Sequence, residues 1–141
     1  MVRPYVSGSK TLVVPVKVGF RDLDAMGHVN NASYFTLLEM ARLEFYRHFL
    51  KARRLEDLDM IAVEAKCRFL SQALWGEVLL VQVWVSRVGH TSFDFQYEVN
   101  EQRSGRPVAW GETVQVSWNY QMGLKKPVPD RLRKLCVGTE I

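Results

Sequence analysis

Residues 30–50 hold one long stretch of helical periodicity, and it is apolar on almost every side. Tyr34, Leu37, Leu38, Ala41, Phe45 and Phe49 recur at helical spacing, while Phe35, Met40, Leu43 and Tyr46 fill the remaining sides. A surface helix carries one apolar stripe, so a helix of this kind has to be enclosed. Asn30 or Asn31 supplies its N-cap, and the pattern ends near Leu50.

The flanking segments name the enclosure, because all of them switch to a period of two. Leu12, Val14, Val16, Val18 and Phe20 share one face of a strand over residues 11–20. Pro15 has no N–H to give a ladder and marks an edge or a bulge there. Four strands follow the helix. Ile61, Val63, Ala65, Cys67 and Phe69 form one face, Leu79, Val81, Val83 and Val85 the next, and Phe93, Phe95, Tyr97 and Val99 the third. Val108, Trp110, Val114, Val116 and Trp118 line the last. The turns Val88-Gly89-His90-Thr91 and Arg103-Ser104-Gly105-Arg106 are short enough to force antiparallel neighbours. The expected order is strand, helix, then a four-stranded antiparallel meander: an α+β domain with one curved sheet around one helix. A length of 141 residues leaves room for one core, so a single domain is expected over residues 1–141.

Several function classes are disfavoured. The net charge of +4 comes from 19 Lys and Arg against 15 Asp and Glu, with a basic tail of Lys125, Lys126, Arg131, Arg133 and Lys134 around Asp130. Such a tail suits nucleic acid, an acidic membrane or nucleotide phosphates, and equally a solvated face. No zinc finger, helix-turn-helix or RNA-binding aromatic motif supports nucleic acid. The first twenty residues lack a signal-peptide layout, and no run of apolar residues reaches a membrane span, so a cytoplasmic protein without a membrane partner is expected. The two cysteines, Cys67 and Cys136, form no CxxC, and no His spacing suits a metal. Cys67 reads as a small buried hydrophobe.

The chemistry-bearing segment is the loop Asp22-Leu23-Asp24-Ala25-Met26-Gly27-His28-Val29-Asn30-Asn31 ahead of the helix. Together with Tyr34, Leu38-Glu39-Met40-Ala41-Arg42 and Val88-Gly89-His90-Thr91-Ser92-Phe93, it resembles the signature of the 4-hydroxybenzoyl-CoA thioesterase branch of the hotdog superfamily. The resemblance spans residues 11–135. It implies a hotdog fold, thioesters of coenzyme A or acyl carrier protein as substrates, and homodimers or homotetramers with sites at the subunit interface. Coenzyme A would then be part of the substrate, and no separate cofactor is expected. The resemblance also implies that Asp24 is the catalytic carboxylate, that Tyr34 lies at the substrate, and that Gly89, His90, Thr91 and Ser92 touch the pantetheine arm, although an ordinary tight turn explains those four equally well. One subgroup carries a catalytic His where this chain has Asn31, and Asn31 cannot act as a base.

Read from the residues, Asp24 can serve as general base or as nucleophile, or can cap a turn as Asp commonly does. Asp22 reads as a residue that orders the loop or pairs with Arg21. The backbone from Gly27 to Asn31, at a helix N-terminus, offers N–H donors for a developing oxyanion, with the Asn30 or Asn31 amide assisting. His28 is a titratable group in the same loop, or a hydrogen-bonded structural one. Glu39, on the helix, is the rival acid, since other hotdog thioesterases place theirs there; a buried Glu39 is expected to pair with Arg42 at i+3. The alternative functions are a non-catalytic acyl-CoA-binding module and a hotdog dehydratase, whose loop pattern differs.

Overall fold

The computed structural model describes residues 3–138, apart from the side chain of Leu55. The ends of the expected 1–141 domain, residues 1–2 and 139–141, lie outside the described residues. In chain order the elements are β1 (Tyr5–Ser7), β2 (Thr11–Lys17), α1 (Asn31–Phe49), β3 (Met60–Phe69), β4 (Val78–Val88), β5 (Ser92–Glu101), β6 (Pro107–Asn119), β7 (Leu124–Lys125) and α2 (Asp130–Arg133). The sheet runs β1-β2-β4-β5-β6-β3, with every pairing antiparallel and β7 attached to β6. This is a hotdog fold: one antiparallel sheet and one long helix packed on its inner face.

The core lies between them. Phe93, Phe95 and Tyr97 alternate inward from β5, and Phe45 of α1 meets Phe95 edge to face at 5.0 Å. Each such ring, fully buried, contributes roughly 1.5–3 kcal/mol. Leu38 of α1 reaches down to Gly111 of β6, where an added Cβ would stand 2.7 Å from Leu38 Cδ1.

Three expectations need correction. The four-stranded meander is three-stranded: β4, β5 and β6 follow one another, but β3 pairs with β6 and forms the far edge of the sheet. The two ends of the sheet are therefore β3 and β1. The face expected for β3 is also broken, because a bulge between Ala62 and Glu64 turns Val63 outward, where it is 56% exposed. On β6 the residues buried opposite Phe93, Phe95 and Tyr97 are Gln115, Thr113 and Gly111, so Trp110, Val114, Val116 and Trp118 belong to the outer face. Pro15 does sit at an edge, since β1 covers β2 only as far as Val13.

The helix is not enclosed on every side. Tyr34, Leu37, Leu38, Ala41, Phe45 and Tyr46 are buried, but Phe35 and Met40 remain 40% and 44% exposed. Among the described residues, no helix is long and apolar enough to cross a membrane.

Candidate active site at the helix N-terminus

The loop ahead of α1 is built from its own polar side chains. Asp22 Oδ2 accepts from Gly19 N at 2.8 Å, so it orders the loop. Asp24 Oδ1 accepts from Met26 N at 2.9 Å while Gly27 N donates to Asp24 O at 3.1 Å, a turn closed by its own aspartate. Gly27 is required there by a φ of +85°, and a Cβ would meet nothing within 4 Å, so its freedom serves the turn. Asn30 is the N-cap and accepts from Ala32 N at 2.9 Å.

This folding brings Asp24, Gly27, His28, Asn30, Asn31 and Tyr34 together. His28 Nδ1 lies 3.7 Å from Asp24 Oδ1, and both side chains are about a third exposed or less, at 27% and 30%. His28, Asn31, Tyr34 and Phe69 line a cleft of about 300 Å³ with Leu70 and Ser71. Asp24 stands beside this cleft through His28 and does not line it. Among the described residues, Asp24 Oδ2 receives no hydrogen bond. Tyr34 is buried and stacks at 5.3 Å on Phe69; burial raises its pKa, partly offset by a hydrogen bond with the Ala73 backbone.

The expected oxyanion donors narrow sharply. Gly27 N is used by Asp24 O, Val29 N by Ala73 O and Asn30 N by Asp22 O. Of the five N–H groups from Gly27 to Asn31, those of His28 and Asn31 keep no acceptor among the described residues, and Asn31 is the first helical residue. A helix N-terminus favours negative charge at that position.

Five expected site residues lie elsewhere. Glu39 is exposed rather than buried, and Arg42 donates to Tyr97 Oη at 3.2 Å instead of pairing with it. Gly89, His90, Thr91 and Ser92 form the β4–β5 turn, closed by Gly89 N to Ser92 O at 2.7 Å. The Asp24 loop packs on residues 73–76, ahead of β4, so this turn stands a full strand length away, roughly 30 Å within one chain. Val128 N donates to His90 O at 2.9 Å and Arg133 Nη2 to Gly89 O at 3.0 Å, while Lys126 Nζ meets Asp59 Oδ2 at 2.6 Å. Part of the basic tail is thus a strap over the hairpin.

One supporting residue was invisible in the sequence. Arg106, read only as part of a turn, donates to Glu77 Oε1 at 2.8 Å, to Gln72 O at 2.9 Å and to Ser71 Oγ at 3.2 Å. It fixes the 70–77 segment that walls the cleft, across 29 residues of sequence from Glu77, and no local pattern announces such a pair. Burial pushes the Cys67 thiol up to about 11, which keeps it protonated and unreactive at neutral pH. No group of three or more His, Cys, Asp and Glu among the described residues is placed to hold a metal ion.

Residues 18–135 match the model of the thioesterase-like superfamily. An uncharacterized Bacillus subtilis protein, YsmA, is 27% identical over 108 residues, covering 77% of this chain and 73% of its own. A thioesterase from Thermus thermophilus, solved with coenzyme A and zinc, is 30% identical with a TM-score of 0.76, over 87% of this chain and 89% of that one. A 4-hydroxybenzoyl-CoA thioesterase mutant bound to 4-hydroxybenzoyl-CoA shares the fold at a TM-score of 0.77 and 18% identity, over 91% and 99% of the two chains. With its hotdog sheet, its single long helix and a family match across most of its length, this chain belongs to the thioesterase-like superfamily.

Proposed function

We propose that the protein hydrolyses acyl-coenzyme A thioesters, with Asp24 as the catalytic carboxylate and the Asn31 N–H as an oxyanion donor. The observation that carries this reading is the pairing of an unengaged Asp24 Oδ2 with an unused helix N-terminal N–H beside one cleft. Water adds to the thioester carbonyl, the C–S bond breaks, and the thiolate leaves and is protonated. Asp24 either takes the proton from that water or attacks first, giving an anhydride that water opens. Losing one oxyanion donor typically costs roughly 10²–10³ in rate. The match to coenzyme A-bound relatives supports the substrate class. A non-catalytic binding module would leave Asp24 Oδ2 and the free Asn31 N–H without a task.

The working site takes two copies of the chain. β3 is an open edge, and Val63, Phe69, Phe35 and Met40 beside it are exposed apolar groups. A two-fold axis across the centre of β3 sets the Met60 end of one strand against the Phe69 end of the other. In register, Phe69 lies in the row of Ala109 and Val99, towards the Asp24 loop, whereas Ile61 lies in the row of Val116 and Ser92, at the Gly89–Ser92 hairpin. The hairpin and Glu39 of one copy then face the Asp24 loop of the other.

Release of free thiol from a panel of acyl-CoA thioesters, with and without a chelator, tests the reading. The expected result is metal-independent turnover. No release from any aliphatic or aromatic thioester by the folded protein contradicts it. Label from H₂¹⁸O found in Asp24 after a single turnover would establish the nucleophilic route, with water opening the anhydride at the Asp24 carbonyl.

A further inference from the structure

Three tight turns meet at the end of the sheet beside the His28 cleft, and each carries a large apolar side chain at its tip. Phe20 opens the turn Phe20–Asp22, Met26 sits in the turn from Asp24 to Gly27, and Trp75 sits in the turn from Leu74 to Glu77. They are 79%, 77% and 70% exposed. The turns adjoin, because Gly76 N donates to Val18 O at 3.2 Å and His28 bridges to Leu74, itself 47% exposed. Their polar side chains, and not the apolar ones, hold them in shape. Asp22 Oδ2 accepts from Gly19 N, Asp24 Oδ1 from Met26 N and Glu77 Oε1 from Leu74 N, while Gly76 supplies a φ of +83°. Turn tips ordinarily carry polar residues. A single exposed apolar group needs no explanation, but a cluster on adjoining tips marks a contact surface.

The surrounding charges specify what it touches. Across residues 17–30, 70–77 and 101–106, Lys17, Arg21 and Arg103 are exposed, whereas Asp22, Asp24 and Glu77 are partly covered and Glu101 is buried. Arg103 reaches this end because Gln102 N donates to Val78 O, and Val78 pairs with Lys17. Glu101 accepts from Arg103 N and Ser104 N, as Glu77 does from Arg106, so these carboxylates are turned to the protein's own donors. The rim is cationic and the tips are apolar. Side chains that stand out singly from turn tips can insert between lipid headgroups, and cations beside them are drawn to lipid phosphates. We infer that this end of the protein docks on an anionic lipid surface, with Phe20, Met26 and Trp75 inserted and Lys17, Arg21 and Arg103 against the phosphates. The contact is peripheral, needs no membrane-crossing helix, and replaces the expectation of no membrane partner. Trp75 and Phe20 adjoin β4 and β2, and β5 and β6 stand between β4 and β3, so a second copy at the β3 edge leaves both open.

Co-sedimentation with lipid vesicles tests it, and its readouts do not depend on thiol release. At low salt the wild-type protein is expected to sediment with vesicles of equal parts phosphatidylcholine and phosphatidylglycerol, and to bind phosphatidylcholine alone at least about tenfold more weakly. Anionic vesicles whose lipid chains carry bromine should quench the fluorescence of Trp75, since Trp84, Trp110 and Trp118 lie within β4 and β6. Phe20→Ser combined with Trp75→Ser should weaken binding at least about tenfold and remove the quenching. The Tm of that variant should not fall, because both side chains are exposed. Lys17→Gln combined with Arg103→Gln should bring the preference for anionic vesicles below about threefold. No sedimentation with the anionic vesicles, or no quenching of the wild-type protein by brominated chains, overturns the inference. So does binding that survives the loss of Phe20 and Trp75, or an anionic preference that survives the loss of Lys17 and Arg103. Retention of poly-glutamate but not of vesicles overturns it in favour of an acidic protein partner.

Discussion

Arg106 grips Glu77 with both terminal nitrogens, Nη2 to Oε1 at 2.8 Å and Nη1 to Oε2 at 3.2 Å, and so ties the β5–β6 hairpin to the segment that walls the His28–Tyr34 cleft. The same carboxylate accepts from Leu74 N at 2.7 Å. Arg106→Ala should cost only about 1 kcal/mol of stability, because the pair is partly exposed and screened. It should cost more in activity, as a raised KM, because the cleft wall loosens. Thermal unfolding and steady-state kinetics on one preparation check both.

The same pair predicts a pH dependence. The Arg106 guanidinium, followed by the Leu74 N–H, holds the folded Glu77 carboxyl below its usual pKa of 4.5, against an opposing effect of burial. A lowered folded pKa gives stability that is present above the unfolded value and is lost as pH falls through the folded one. Between pH 7 and pH 3 the wild-type protein should therefore lose more stability than Arg106→Ala does. Parallel pH curves for the two proteins would show that Arg106 does not hold down the Glu77 pKa.

Much of this was legible from residues 30–50, whose apolar pattern required an enclosing sheet, and from the turns at 88–91 and 103–106, which fixed β4, β5 and β6 as neighbours. The place of β3 was not. It reaches β6 across two intervening strands, and the 70–77 connection carries no turn chemistry that dictates a partner. The bulge at Val63 also breaks an alternation that looked regular. On β6 the larger hydrophobes Trp110 and Val114 drew attention to the wrong face, because the buried positions opposite β5 carry Gly111, Thr113 and Gln115, none of them hydrophobic in the usual sense. In the loop, Asp24 was visible as both a turn former and an acid. Which N–H groups stay free was not, because acceptors such as Ala73 O arrive from a distant segment.

Gly111 tests the packing argument directly. Adding a methyl group brings it within 2.7 Å of Leu38 Cδ1, so the Leu38 side chain has to shift. Gly111→Ala should destabilise by about 1–3 kcal/mol. Combining it with Leu38→Val should recover part of that loss, so the double-mutant cycle should show favourable coupling. Additive effects would mean that the helix does not bear on Gly111.

The two-copy site predicts assembly. The protein should sediment as a dimer or tetramer of its 16.3 kDa chain. Ala65→Glu, near the middle of the β3 edge, sets two like charges across the two-fold axis and should yield a monomer with little thioesterase activity. A fully active monomer would remove the shared site.

The central claim is that Asp24 carries the reaction. Asp24→Asn keeps an oxygen that can accept from Met26 N, so the turn and the Tm should survive. Purified Asp24→Asn, assayed against the best acyl-CoA substrate, should show kcat reduced by at least roughly 10²-fold. Turnover near the wild-type rate would contradict the account and shift the catalytic assignment to Glu39.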